Sequence, residues 1–413
     1  MMDFRSFYVD TLGCPKNEVD SRIIIKHLTS LGKVYKNPEH SDVIIINSCG
    51  FLQEALNELY ERISYWKKHN KELIVTGCAV ERLGVRYLEG NGLRAVYLDT
   101  LVGISKGKRR KGQTALPTFN NQYFTRDSIF HYTKIQEGCT RRCSYCVISK
   151  IKGPLRSRPL TDIIREIEGL YSEGVQEFIL IAQDLSLYGI DIGEKLQSLL
   201  KNLPIGPYYR LMYLHPHGIN EDIIRVIDGT PGILPYLHIP IQHISNRVLK
   251  DMKRAGGERS VRRSVELVRK HLPQFFIRVD IMVGFPTETD QDFEHLLTFM
   301  EDLRPERISI FKYSSESSTP SQRFEELDED VKEERYEMAF EIAHEIMAKV
   351  QSSLLGYDII VFKQGEHTWS QYDAPYIDFG VELKNNKVEI WPCKAKIIDV
   401  KQDLDLVGVK VEH

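Results

Sequence analysis

The stretch His131-Tyr-Thr-Lys-Ile-Gln-Glu-Gly-Cys-Thr-Arg-Arg-Cys-Ser-Tyr-Cys146 sets three cysteines, Cys139, Cys143 and Cys146, directly after a candidate strand, His131–Glu137. Three thiolates in so short a loop can grip one corner each of an iron–sulfur cluster but cannot close a four-ligand site. A structural zinc site wants a fourth Cys or His nearby. The nearest histidine, His131, starts the preceding strand, roughly 25 Å away if extended. A cluster with one iron open to a small ligand is therefore expected, with zinc as the alternative. The same strand opens a βα series. Further strands are expected at Glu177–Ala182, Tyr209–Tyr213, Tyr236–Pro240, Phe276–Val283 and Arg307–Tyr313. Helical patterns over Thr161–Ser172, Ile219–Ile227, Asn246–Lys253, Ser260–His271 and Asp290–Leu303 separate them. Six units are too few for a closed eight-unit barrel, so an open partial barrel is expected, its mouth lined by the carboxyl ends of the strands.

Upstream, Phe4–Asp10, Val43–Ser48 and Leu73–Thr76 read as strands alternating with helices over Asn17–Leu31 and near Phe51–Trp66. Continuous apolar strands between helices predict an open parallel sheet covered on both faces. Cys14, Cys49 and Cys78 each stand at the carboxyl end of one of these strands, and ligands gather at that edge of such a sheet. Buried inert cysteines would more often fall inside strands. A second three-thiolate site is expected here. The seventh cysteine, Cys393, stands alone and reads as an inert thiol.

Downstream, a charged helix over Asp328–Ser353 leads to short strands at Tyr357–Phe362, Gly380–Leu383, Val388–Trp391, Cys393–Val400 and Val407–Val411. These suggest a small five-stranded antiparallel barrel. The fold class is thus α/β, with expected units at 1–115, 128–353 and 354–413. The basic stretch Lys106–Gly112 reads as a solvated linker, with an RNA contact as the other reading. Over the 413 residues, 27% charged side chains and a formal charge of −3 exclude a strongly basic chain. No apolar run is long enough to cross a bilayer, the N-terminus lacks a secretory pattern, and seven cysteines do not form a disulfide scaffold. A cytoplasmic location is expected.

Cys-x3-Cys-x-aromatic-Cys at the head of such a βα series resembles the radical S-adenosylmethionine superfamily. The resemblance implies that the open iron binds the methionine amine and carboxylate, that Tyr145 packs near the adenine, and that one electron splits the sulfonium to give a 5′-deoxyadenosyl radical. Such a radical attacks aliphatic C–H bonds that no side-chain acid or base activates. Triad domain, radical domain and small barrel in that order resemble the methylthiotransferases along essentially the whole chain, the last unit resembling a TRAM domain. Within them, Thr11-Leu-Gly-Cys-Pro-Lys-Asn17, Ile181-Ala-Gln-Asp184 with Tyr188-Gly189, Ile239-Pro-Ile-Gln-His243 and Asp373-Ala-Pro-Tyr-Ile-Asp378 resemble the RimO type, whose substrate is an aspartate on the twelfth small-subunit ribosomal protein. Val147-Ile-Ser-Lys150 and Thr287 depart from the usual family residues.

The resemblance implies two [4Fe–4S] clusters and S-adenosylmethionine as cofactors, with sulfur carried on the N-terminal cluster. It implies a small-subunit ribosomal protein as substrate, a low-potential electron donor such as flavodoxin or ferredoxin, no membrane partner and a monomer. The sulfur source stays open. Gln183 and Asp184 are candidates for the methionine amine, Arg210 for a carboxylate and Gln242, with His243, for a ribose or substrate contact. His215 and His217 read as solvated loop histidines, with a metal role as the alternative; Gly284 and Glu288 are expected to shape a turn near the adenine. From Leu354 to His413 there are seven Lys and no Arg against ten Asp plus Glu, a net charge of −3. Such a module suits a basic protein better than RNA phosphates. Two other readings remain: a transfer-RNA methylthiotransferase, and a non-catalytic iron–sulfur or zinc protein that binds RNA.

Overall fold

The computed structural model describes residues 4–103, 116, 118, 128–317, 319–384 and 391–411. The basic stretch 106–112 and residues 388–390 of the strand expected at Val388–Trp391 lie outside them. Three large sheets organise the rest, with a two-stranded antiparallel pair, Gln136–Glu137 against Arg156–Ser157, at the two ends of the second cysteine loop.

The first is parallel, in the order β2-β1-β3-β4, with β1 Ser6–Thr11, β2 Val34–Tyr35, β3 Val43–Ser48 and β4 Glu72–Gly77. Every residue of β3 is buried, as its unbroken β-branched run requires of a central strand covered on both faces. Helix Pro15–Ser30 packs Ile23, Ile24 and Leu28 inward, and helix Gln53–Lys68 covers the sheet with Leu56, Leu59 and Ile63. Only β2, two exposed residues, had no sequence signal.

The second sheet has six parallel strands in the order β10-β9-β8-β7-β6-β5. They are β5 Phe130–Lys134, β6 Glu177–Ile181, β7 Tyr208–Leu211, β8 Ile233–His238, β9 Phe276–Val283 and β10 Arg307–Lys312. Each strand pairs with the next in sequence and the two edge strands do not pair, so this is the expected open barrel. Helices such as Leu160–Ser172, Gly257–His271 and Asp290–Leu303 cover its outside. The last is fixed by a capping box in which Thr289 and Asp292 satisfy one another's backbone amides. Helix Glu329–Ser353 closes the β10 side, burying Ala339, Ala343 and Ile346.

The C-terminal sheet runs β12-β11-β14-β15-β13, with β11 Asp358–Gln364, β12 His367–Ser370, β13 Val381–Leu383, β14 Cys393–Val400 and β15 Leu406–Lys410. Two expectations are corrected here. The chain makes a strand at His367–Ser370, joined to β11 through the two-residue turn Gly365-Glu366, where none was read. The sheet is also mixed, because β13 pairs with β15 in parallel; a single antiparallel bridge between Trp369 and Gly380 brings β12 towards β13 and nearly closes it.

This small barrel plugs the large one. Phe362 and Trp369 pack with Phe130, Tyr132, Ile179 and Tyr236 inside the open barrel. The junction carries buried charge. Arg210 Nε donates to Glu177 Oε1 at 2.6 Å, its other nitrogens donate to the backbone oxygens of Ser370 and Gln371, and Trp369 Nε1 donates to Glu177 Oε2 at 2.7 Å. Arg307 pairs with Asp373 and Arg278 with Asp378, both at 2.6 Å. Two of the module's ten carboxylates are therefore neutralised at the junction, leaving eight against its seven lysines. The acidity argued from composition shrinks accordingly. Removing the Glu177 carboxylate strands a buried guanidinium, so Glu177→Ala is expected to destabilise the protein by about 3–5 kcal/mol in urea unfolding. A loss below about 1 kcal/mol would contradict this account of the junction.

Candidate iron–sulfur centres at the barrel mouth

Cys14 caps helix Pro15–Ser30 just after β1, Cys49 follows β3 directly, and Cys78 opens helix Cys78–Leu83 just after β4. Since β1, β3 and β4 are neighbours, the three thiols meet at one edge. Two glycines permit the approach. Gly13 has φ +89°, and a Cβ there would lie 2.6 Å from Cys49 Cβ; Gly77 has φ +91°, and a Cβ there would lie 2.4 Å from Asn47 Oδ1. Cys14 is exposed, Cys49 half-buried and Cys78 buried. Burial pushes the Cys78 thiol up to about 12, against the pull of Lys152, and the neighbouring Cys49 and Cys14 add to the rise. Burial also raises Cys49, with Cys14 contributing.

The second triad hangs from the end of β5. Its loop is pinned by Ser144, whose N–H and hydroxyl donate to the backbone oxygens of Met252 and Asp251, and by Ser321 N–H donating to Ser144 O. Backbone amides of Arg141 and Ile148 donate to the sulfurs of Cys139 and Cys146, both at 3.4 Å, which favours thiolate. Burial nevertheless pushes Cys146 up to about 12 and raises Cys139, with the mutual repulsion of the thiolates adding to each.

Among the described residues, no three Cys, His, Asp or Glu side chains stand close enough to hold a single metal ion. The thiols of each triad still act electrostatically on one another. Three soft donors set wider than a mononuclear site fit the corners of a cluster, whereas tetrahedral zinc needs four close ligands. His131 offers no fourth: its Nε2 lies 3.1 Å from Glu166, its Nδ1 lies 2.6 Å from Arg22, and burial holds its pKa down at about 4.

The first triad is joined to the segment that follows the second by an apolar contact. Cys78 packs with Val147 and Ile151, the residues just beyond Cys146, and with Phe51. Beneath them lies a buried charge network absent from the sequence reading. Asp20 accepts from Lys134 and, at 3.0 Å, from Lys152; Lys134 also donates to Glu137 at 2.6 Å. Burial pushes the Glu137 carboxyl up, but Lys134 and Lys152 outweigh it and hold it at about 2.

Of the other candidates, Gln183 donates to Glu137 at 2.7 Å and leaves its buried Oε1 without a hydrogen-bond partner. Asp184 pairs with Arg141, inside the cysteine loop, and accepts from Ser186 N–H at 2.9 Å. Tyr145 is buried beside Arg254, which donates to its hydroxyl at 3.2 Å. Gln242 has φ +72° and is half-buried at the end of β8. Arg210 does not join them. It is taken up by Glu177 and the C-terminal barrel, as described above, so the structure corrects its expected carboxylate role. His243 and Glu288 pair with each other at 3.1 Å, and Glu288 also holds Gly284 N–H and Arg335; they shape a turn and present no ligand atom. His215, expected in solvent, is buried, its Nδ1 accepting from His217 N–H while its Nε2 has no partner. His238 Nδ1, which no motif flagged, is orphaned in the same way, whereas Asp280 Oδ1 makes no hydrogen bond but has Arg278 3.6 Å away. Buried polar atoms left unpaired are where a bound ligand or water finds its partners.

The Radical SAM superfamily model matches residues 133–300, and the model of Uncharacterized protein family UPF0004 matches residues 6–98. Along nearly its whole length the chain is similar to two proteins named ribosomal protein uS12 methylthiotransferase RimO. The one from Carboxydothermus hydrogenoformans is 36% identical, over 98% of this chain and 99% of the relative. The one from Clostridium perfringens strain SM101 is 35% identical, over 97% and 96%. Among solved structures, the radical S-adenosylmethionine methyltransferase TsrM from Kitasatospora setae, with cobalamin and a [4Fe-4S] cluster bound, shares the fold: TM-score 0.55, 15% identity, 77% of each chain.

Because Cys78 and Cys146 hold their protons at neutral pH in the metal-free protein, cluster loading must displace those protons. Iron uptake at limiting iron and sulfide is therefore expected to rise between about pH 7 and pH 9. A flat profile would show that the thiols are already ionised.

Proposed function

The chain belongs to the RimO family of radical S-adenosylmethionine methylthiotransferases, and from that premise we propose that it places a methylthio group on the β-carbon of an aspartate in ribosomal protein uS12. The observation that supports the reading is the contact of Cys78 with Val147 and Ile151, which joins a cysteine of the first triad to the segment just beyond the second. A single radical centre needs only one such site.

In this reading Cys139, Cys143 and Cys146 hold one [4Fe–4S] cluster and Cys14, Cys49 and Cys78 hold the second. When bound, the clusters and S-adenosylmethionine supply what side chains cannot: a low-potential electron, a hydrogen-abstracting radical, and sulfur with its methyl group. The chain's own part is positioning. The Arg141–Asp184 pair ties the cysteine loop to the end of β6, so Asp184 orients the loop and Gln183 Oε1 is left to accept from the methionine amine. Tyr145, its hydroxyl held by Arg254, offers a ring face to the adenine. The plug formed by Phe362 and Trp369 keeps water out of the barrel from below. The units 1–115, 128–353 and 354–413 then serve as sulfur-carrying, radical and substrate-recognition domains. A flavodoxin or ferredoxin supplies electrons, the sulfur source is left open, and the chain works as a cytoplasmic monomer. Among the described residues no helix is long and apolar enough to cross a membrane.

Incubated with S-adenosylmethionine, a reductant and uS12, the reconstituted enzyme is expected to replace one hydrogen of uS12 by a methylthio group, read by mass spectrometry. Cys143→Ala should abolish 5′-deoxyadenosine formation. Cys49→Ala should keep that cleavage and lose the methylthio product. Methylthiolation by the Cys49 variant would overturn the sulfur role, and a product on transfer RNA in place of uS12 would overturn the substrate.

A further inference from the structure

Cations crowd the mouth, and almost all are matched. Lys134 and Lys152 face Asp20 and Glu137, and Arg141 faces Asp184. Arg254 has no carboxylate among the described residues within ion-pairing distance, but its guanidinium donates to the Tyr145 hydroxyl and to Pro240 O. Lys16 has neither a carboxylate nor a backbone oxygen among the described residues to meet it. It lies two residues after Cys14 on the first turn of its helix, and its ammonium sits 3.5 Å from the centre of the Tyr213 ring. No carboxylate among the described residues stands within ion-pairing distance of it; the Cys14 sulfur acts on it, and Glu137 and Asp280 act from further away. Both Lys16 and Tyr213 are partly open to the mouth. Tyr213 adopts φ +69° just past β7 and packs its ring 4.8 Å from His238, which is in turn held by Asp280 at 2.9 Å. The aromatic face holds the ammonium by a cation–π contact without neutralising it.

We propose that Lys16 is the specificity-determining residue for the substrate, its ammonium receiving the side-chain carboxylate of the aspartate that is modified. The inference rests on the function proposed above and deepens it. A half-desolvated ammonium lacking a counterion is a standing electrostatic demand, which a carboxylate ligand meets. In aspartate the carboxylate is bonded directly to the β-carbon. Holding it beside Cys14 therefore places that carbon against the first triad. Tyr213 fixes the ammonium, and the Tyr213–His238–Asp280 chain fixes Tyr213.

The test compares uS12 with a variant in which the modified aspartate is asparagine, measured as equilibrium binding to the reconstituted enzyme. Wild-type enzyme should bind the aspartate form about tenfold more tightly than the asparagine form. Lys16→Met should bind the two alike, with kcat/KM on uS12 lowered about 30-fold mainly through KM, and Lys16→Arg should restore much of the preference. A Lys16→Met enzyme that keeps the wild-type preference overturns the inference, as does a wild type without one. A rise in KM for S-adenosylmethionine with unchanged uS12 binding also overturns it, by assigning Lys16 to the cofactor's carboxylate. Wild-type activity on uS12 is the separate control: its absence would count against the proposed function, whereas its presence with an indifferent Lys16 counts against this inference alone.

Discussion

Asp20 sits one turn and a half along the helix that Cys14 caps, and it accepts from Lys134 and Lys152, which flank the second cysteine loop on either side. Glu137, two residues before Cys139, completes a buried set of two acids and two lysines. A cluster of this kind adds little net stability, because the desolvation of each charge offsets most of the attraction. Its value is geometric. Removing any one member leaves an unmatched charge in the interior, so the first sheet has one tolerated position over the barrel mouth. The apolar contact of Cys78 with Val147 and Ile151 lies above this network and shares its registration. The sheet that carries Cys14, Cys49 and Cys78 is thereby fixed against the loop that carries Cys139, Cys143 and Cys146.

The C-terminal barrel is fixed by related means at the opposite end of the lumen. Three arginines of the large barrel, Arg210, Arg278 and Arg307, each reach a group of the small module or the glutamate that anchors it. Trp369 fills the space between them, fully buried, and donates to Glu177. The module is thus docked as well as tethered. With two of its carboxylates used at the junction, the module's composition is nearly balanced in charge.

Much of this was legible in the sequence, for reasons that can be stated residue by residue. Val43–Ser48, Phe276–Val283, Asp290–Leu303 and Cys393–Val400 match the observed elements at both ends, because apolar runs, period and capping residues agree there. The convergence of Cys14, Cys49 and Cys78 was legible because each follows a strand, and parallel strands bring their ends to one edge. What escaped were contacts between residues far apart in sequence. Asp20 and Lys152 are separated by 132 positions, and nothing local to either signals the other. Arg210 was misplaced for the same reason, since its partners, Glu177 and residues 370–371, lie on other elements. Lys16 stood inside a quoted motif but gained meaning only once Tyr213 and the absence of a nearby carboxylate were seen. The strand at His367–Ser370 did have a signal, the two-residue Gly365-Glu366 turn, outweighed by the polar residues around it.

The central claim is that two separate clusters occupy one mouth. Iron and acid-labile sulfide analysis of anaerobically reconstituted protein tests it most directly, on the wild type and on variants with either triad changed to alanine. The account predicts about eight irons per chain in the wild type and about four in each variant. About four in the wild type, unchanged when Cys14, Cys49 and Cys78 are replaced, would show that the first triad binds no cluster and would contradict the account.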